Sequence, residues 1–584
     1  MGDQVPPQDD ASTDQHLTPN AIYTPLSKDE IRLAVLRGCS DHKEAISISL
    51  ITSRWSPSQQ YEALSYAWGD QAIREWIWVD SAPPRLCPVT QNLHAALQHL
   101  RRRDSDRVLW IDALCIDQAN LEEKEQQVGR MDRIYQAARN VCVWLGPGTH
   151  ESDSAMAAVP RLLGSIWNPS SHAYGGYDWE LFARLLQRDW FSRRWVVQEI
   201  ALAKEATVLC GNKEVSWDDF SDVISLYGSR QADAWSSTSA SADARGLGAS
   251  TLSFLAANAL RKDGQGNILE RRWSLEDLLA LLPMFHAQKS HDAVYSVLSV
   301  TSDDNPFKCI DYSRPQTELF VEVFKRIADS SNSLDMMFRP WAPDTPGARL
   351  PSFIAPASRH PYIRDANGLY ERRNADSLVG APRRPIYAAT RPPLASSPLL
   401  TLPVVARGWG SDIKSGAPHD SRDDSRTRSD YTLAAKGVFC CFISELSDVC
   451  ENGVIPRSWL ETWRQHQADG QMADLWRVLV AGRSRDGTAA PNWFRRAFAS
   501  VFSPGESRDG SGLDLPAMLK TAPPSNMADF LRRVSSCVWG RRFLVSTEER
   551  AGYFGLVPRE AAPGDRICLL EGCSVPVVFR GESI

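Results

Sequence analysis

The sequence predicts an α/β fold: a small, mostly parallel sheet flanked by helices over about residues 30–215, then a mixed α+β region with a β-rich end. Three observations predict it. Short apolar runs alternate with helical patterns between 61 and 211, the order expected of strands that feed crossover helices. The runs "RVLWIDALCID" (107–117) and "NVCVWLG" (140–146) are apolar without alternation, as in strands covered on both faces. Residues 541–581 hold several short apolar runs separated by "PGD" and "EGC" turn signals.

The elements follow in order. Residues 1–25 are polar and Pro-containing and are expected to be disordered. "YEALSYAWG" (61–69) is a strand that ends in a Gly-Asp turn. "REWIWVDSAPPRLCPVT" (74–90) is a hairpin interrupted by Pro83 and Pro84. Thr90 can cap a helix whose Leu93, Leu97 and Leu100 fall at helical spacing. After the 107–117 strand, Asn120 caps a second helix, with Glu122 and Glu123 in its first turn and Val128, Met131, Tyr135 and Ala138 as one apolar stripe. "GPG" (146–148) stops the next strand and is too short for a phosphate loop. "WFSRRWVVQEIALAKE" (190–205) then predicts an amphipathic helix, followed by the strand "ATVLCG". Residues 235–251 read as a Ser/Ala/Gly linker, 255–375 as a mainly helical region that includes 274–300, and 376–430 as loop or disorder. Residues 431–584 form a C-terminal region that ends in short strands, with a loose stretch near 483–513.

Bulk chemistry excludes several classes. With 65 basic against 71 acidic residues the net charge is −6, and no basic stripe of the kind that binds nucleic acid stands out. No apolar run reaches the ~18 residues of a membrane span, and the N-terminus lacks a signal-peptide pattern, which predicts a soluble cytoplasmic protein. The twelve cysteines contain no C-x-x-C pair, and most are expected to be buried free thiols. His94/His99 and His286/His291 are five apart, which does not align two metal ligands on a helix face, so no metal is expected. Nucleophile-elbow, phosphate-loop, zinc-protease and dinucleotide fingerprints are all missing.

Three groups of residues could carry chemistry. Glu199 shares a helix face with Trp195, one turn earlier, at the border of an apolar stripe. It is either a glutamate paired with Arg193 or Arg194 at the edge of a packed helix, or a functional carboxylate. Asp112, Cys115 and Asp117 lie at or just beyond the C-terminal end of a strand, where open α/β sheets place ligand groups. The alternatives there are turn chemistry for the acids and a core thiol for the cysteine. Ser65, Trp68, Gly69 and Asp70 close the first strand, either as a ligand edge or as a simple turn.

These blocks resemble a known family. "YEALSYAWGD", "LWIDALCIDQANLEEKEQQVGRMDRIYQAARNVCVWLG" and "RDWFSRRWVVQEI" are similar, in order and wording, to the three blocks of the fungal heterokaryon incompatibility (HET) domain. "HDAVYSVLSV", "IDYSRP", "LPSFIAPAS" and the 552–580 tail look like later segments of long HET-domain proteins. The resemblance implies a role in vegetative incompatibility, in which fusion of unlike fungal cells triggers growth arrest and programmed cell death. It also implies self-association through the HET domain and an incompatibility partner protein.

A more distant resemblance is to TIR domains, whose first strand, Asp-ended second strand and S-x-W-C-x-x-E-L helix occur here in the same order. Some TIR domains cleave NAD with the helix glutamate. Carried over, Glu199 becomes the catalytic carboxylate and Trp195 its aromatic neighbour. Ser65 and Asp112 become strand-end positions, with Trp68, Gly69, Asp70, Cys115 and Asp117 as further substrate-binding candidates. Val196 replaces the usual Cys, and a hairpin is inserted after the first strand. Cleaving the nicotinamide–ribose bond builds oxocarbenium-like charge that a partly dry carboxylate would stabilise. NAD would be substrate, with no bound cofactor. The alternatives are a non-catalytic self-associating signalling module and an accessory regulatory protein.

Overall fold

The computed structural model describes residues 22–580 apart from 42–43, 57–58, 82, 165, 167–174, 235–245, 305–309, 346–349, 366–368, 390–430, 432, 434, 467–474, 503–511, 522 and 547–552. The expected disorder at 1–25 and 376–430 falls largely outside the described residues. Most of the expected linker does too, although Leu247–Asn258 forms a helix that begins inside it. The chain divides into two compact units, one of Met1–Pro147 with Ala203–Glu205, the other of Gly148–Leu202 with Ala206–Ile584.

The first unit is an α/β layer built on seven strands: β1 (Glu30–Leu36), β2 (Ser47–Arg54), β3 (Glu62–Tyr66), β4 (Arg74–Val79), β5 (Arg85–Thr90), β6 (Arg107–Trp110) and β7 (Asn140–Trp144). Their order is β5-β4-β2-β1-β6-β3-β7. The centre is parallel: Glu62 pairs with Leu109 of β6 on one side and with Asn140 of β7 on the other. All five residues of β3 and the last four of β7 are buried, which is why neither run alternates. β1 runs antiparallel to both β2 and β6, and β2 parallel to β4. The β4–β5 hairpin closes that edge as expected. On β4, Ile77 and Val79 point into the core while Trp76 and Trp78 stay exposed.

Among the described residues four helices complete this unit: α1 (Gln91–Leu100), the single turn α2 (Asp112–Cys115), α3 (Leu121–Val128) and α4 (Met131–Ala137). Both expected caps form. Leu93 N donates to Thr90 Oγ1 at 3.4 Å and Glu123 N to Asn120 Oδ1 at 3.2 Å. Two expectations are corrected. The strand predicted over 107–117 stops at Trp110, because Leu114 N and Cys115 N both bond back to Ile111 O and wind the chain into α2. The single helix predicted after Asn120 breaks at Gly129, so its stripe is shared between α3 and α4.

The second unit opens with α5 (His150–Gly164) and α6 (Gly175–Leu185). The amphipathic helix predicted over 190–205 is instead a 3-10 turn at Asp189–Ser192 followed by α7 (Val196–Leu202). The interruption is an isolated bridge between Arg193 and His286: His286 N donates to Ser192 O at 2.6 Å and Arg194 N to His286 O at 3.0 Å. All seven residues of α7 are buried, so it has no polar face. A hairpin, β8 (Ala206–Cys210) and β9 (Lys213–Ser216), leads into α8 (Trp217–Ala234).

Further along, a five-stranded antiparallel sheet gathers Gly437–Val449, Arg541–Ser546, Tyr553–Pro558, Arg566–Leu570 and Val577–Phe579, the expected β-rich end. Its core includes Trp459, Leu479, Phe494, Phe530, Val534 and Phe543. The stretch expected to be loose near 483–513 contains a helix, Phe494–Val501, whose Phe494, Ala497 and Val501 face that core.

Candidate functional site

The strand-end candidates of the first unit sit on the turns that leave β3 and β6. Ser65 is 1% exposed and belongs to the core. The chain then turns through Gly69, whose φ of +72° is a left-handed conformation natural to glycine. Asn92, near the start of α1, pins this turn: its Nδ2 donates to Ala67 O at 2.6 Å and its Oδ1 accepts from Trp144 Nε1 at 2.9 Å. Asp70 is exposed, and its Oδ1 accepts from Ala72 N at 2.8 Å, which is ordinary turn chemistry.

The structure brings two of the candidates together. Trp68 Nε1 donates to Asp112 Oδ2 at 2.8 Å. The other oxygen of Asp112 accepts from Ala113 N at 2.7 Å, and its carbonyl accepts from Gln118 Nε2 at 2.9 Å. Asp112 thus latches the β3 turn to the start of α2. Cys115 is 1% exposed, and burial pushes its thiol up to about 12. It is a core thiol that stays protonated near neutrality. Asp117 makes an Asx turn, its Oδ1 accepting from Ala119 N at 3.0 Å.

The organiser of this loop is a pair that sequence reasoning missed. Arg32, on β1, and Glu123, on α3, are 1% and 8% exposed. Arg32 Nη1 lies 2.7 Å from Glu123 Oε1 and also donates to Cys115 O at 2.8 Å. Glu123 Oε1 in turn accepts from Asp117 N at 2.8 Å. The available signal was an arginine inside the apolar run "EIRLAVL", since a charge in a buried strand needs a partner. The sequence places Glu123 in a first helical turn, where the dipole favours an anion, and carries no local sign of its distant partner.

Glu199 and Trp195 belong to the second unit. Glu199 is 1% exposed, and Arg193 Nη2 lies 3.8 Å from its Oε1. The expected position at the border of an apolar stripe is corrected: the carboxylate lies inside a fully buried helix. Trp195 is half-buried and its carbonyl accepts from Glu199 N at 3.1 Å. Arg194, in contrast, is buried with its Nη1 on Leu282 O at 2.7 Å. Its Nε and Nη2 make no hydrogen bond among the described residues, and burial pulls its guanidinium down, with Asp292 acting against that. Gln198, beside Glu199, accepts from Ser299 Oγ at 2.8 Å. Among the described residues no cluster of three or more His, Cys, Asp or Glu side chains could hold a metal.

Residues 61–199 match the sequence model of the family described as heterokaryon incompatibility protein (HET). The chain carries a HET domain. It is also similar to heterokaryon incompatibility protein 6, OR allele, of Neurospora crassa, with 32% identity over 232 residues, covering 32% of this chain and 34% of the relative. The chain therefore spans about a third of the length of the curated relative it matches. No solved structure matches, so the likeness to TIR domains rests on the sequence blocks alone. The HET domain takes in every candidate residue from Ser65 to Glu199. It leaves out β1 and Arg32, although Arg32 holds the loop on which Cys115 and Asp117 sit. No described helix is long and apolar enough to cross a membrane.

Proposed function

We propose that this HET-domain chain acts in vegetative incompatibility, and that it does so as a signalling module whose output is association, not chemistry at Glu199. The HET-domain match and the similarity to heterokaryon incompatibility protein 6 support the role. One observation supports the non-catalytic form of it: Glu199 is 1% exposed and already faces an arginine. A carboxylate that meets a ribosyl cation has to be reachable by the sugar. A buried carboxylate beside a guanidinium instead offsets a charge that would be costly if left alone.

The test uses the full chain. Purified protein is incubated with NAD, and free nicotinamide is followed while Glu199→Gln and Arg193→Gln are melted alongside. The expected result is no nicotinamide release and a lowered Tm for both variants. The loss should be smaller than the ~3–5 kcal/mol of a fully buried pair, because the Arg193 side chain keeps 20% exposure. Conditional expression in a fungal host should arrest growth in proportion to how much folded protein each variant retains. Release of nicotinamide by the wild type, abolished in Glu199→Gln at unchanged Tm, would overturn this reading in favour of NAD cleavage.

A further inference from the structure

Far from the HET domain in sequence, the second unit holds a cleft of about 440 Å³ lined by Trp476, Arg477, Asn492, Trp493, Arg495 and Arg496. Two short helices, Leu475–Leu479 and Phe494–Val501, build it. Their apolar sides anchor in one core through Leu475, Leu479, Phe494, Ala497 and Val501, so the lining residues stand on fixed supports. The wall is aromatic. Trp476 is 4% exposed, and its buried indole Nε1 has no hydrogen-bond partner among the described residues. Trp493 is 38% exposed and packs edge-on to Phe494, with ring centroids 4.6 Å apart.

The rim is cationic. The Arg477 guanidinium lies over the Trp476 ring, 5.2 Å from its centroid. The side chains of Arg495 and Arg496 are exposed, and neither makes a hydrogen bond or ion pair among the described residues. Both stand in the first turn of a helix that has no acidic residue there. Cations gain nothing from that end of a helix dipole, and the two positive sources add. Among the described residues no carboxylate lines the cleft, in a chain whose net charge is −6. The field therefore selects an anion, the indoles select a flat ring, and the volume falls within the ~300–1,000 Å³ of small-molecule sites.

We infer that this cleft binds a nucleoside phosphate, the base against the tryptophans and the phosphate on Arg495 and Arg496. The observations rest on residues outside the HET match and are independent of what Glu199 does. The experiment titrates the full chain with ADP, GDP and UDP, by calorimetry and tryptophan quenching, beside adenosine and inorganic phosphate. The comparison protein is the double variant Arg495→Gln/Arg496→Gln, whose altered side chains are exposed and whose Tm is checked first. Saturable binding of at least one nucleotide is expected, weakened about tenfold or more in the double variant, with adenosine weaker than ADP by a similar factor. The inference is overturned if no nucleotide saturates at millimolar concentration, or if the double variant binds as well as the wild type. It is equally overturned if adenosine binds as tightly as ADP, or if a short single-stranded oligonucleotide binds more tightly than any nucleotide.

Discussion

Glu62 shows how a charge is kept inside the parallel centre of the sheet. It is 5% exposed at the start of β3. Burial pushes its carboxyl up, but Arg107 Nε at 2.5 Å and Arg139 Nη2 at 3.3 Å outweigh that and hold it below the ordinary value of 4.5. A carboxyl depressed in the folded state contributes stability that is present above its unfolded value and is lost as pH falls through its folded value. Wild type should therefore exceed Glu62→Gln in Tm by a constant margin near neutrality. That margin should shrink only once the pH drops below 4.5. A margin unchanged down to about pH 3 would show that the carboxylate charge contributes nothing there. Cys115 makes the opposite case: desolvation outweighs the lowering effects of the Ile111 backbone hydrogen bond and of Arg32, so its thiol is pushed up to about 12 and its reactivity is suppressed.

At the scale of elements, the short run "GPG" has a packing role. Gly148 precedes α5, and Gly211 turns the β8–β9 hairpin with φ of +53°. A Cβ on Gly211 would lie 2.7 Å from Gly148 Cα, so the two backbones meet where no side chain fits. Gly211→Ala combines that clash with left-handed strain and should cost at least ~1–3 kcal/mol in thermal or urea melts. Gly164→Ala, at the end of α5 with nothing within 4 Å of the added Cβ, is the control and should change stability by less than about 1 kcal/mol. Equal effects of the two substitutions would remove the packing argument. The elements legible in the sequence were those whose causes are local: β3, marked by the Gly-Asp turn that ends it, the unalternating strand β7, and the helix caps Thr90 and Asn120. The β1–β2 hairpin was missed because its central arginine is compensated by Glu123, 91 residues away. The break between Ser192 and Val196 was missed for the same reason, since the residue that pairs with Arg193 is His286. At the candidate site, the residue types were legible but their reach was not. The sequence shows that Glu199 stands one turn after Trp195, but not that every residue around it on α7 is buried.

At the scale of the molecule, the family match and the folding unit do not share boundaries. The HET domain begins at Tyr61, whereas the first compact unit also takes in β1 and β2 and runs to Pro147. β1 is no appendage, because it lies between β2 and β6 and pairs with both. Removing it strips β6 of a neighbour and cuts β2, with the β4–β5 hairpin that pairs with it, off from the rest of the sheet. It also removes Arg32, leaving Glu123 buried without its guanidinium, a change of the kind that costs ~3–5 kcal/mol. That is comparable to much of the ~5–15 kcal/mol that stabilises a typical domain. Two fragments separate the alternatives. Residues 22–147 keep all seven strands of the first unit and should show a cooperative thermal transition by circular dichroism. Residues 61–147 keep the family blocks but lose β1 and β2, and should melt without cooperativity or fail to fold. Adding a peptide of residues 22–56 to the shorter fragment should restore part of the transition, as β1 returns to its place beside β6. A shorter fragment that melts as sharply as the longer one, at the same temperature, would show that the family boundary is the folding boundary and that the Arg32–Glu123 pair is dispensable.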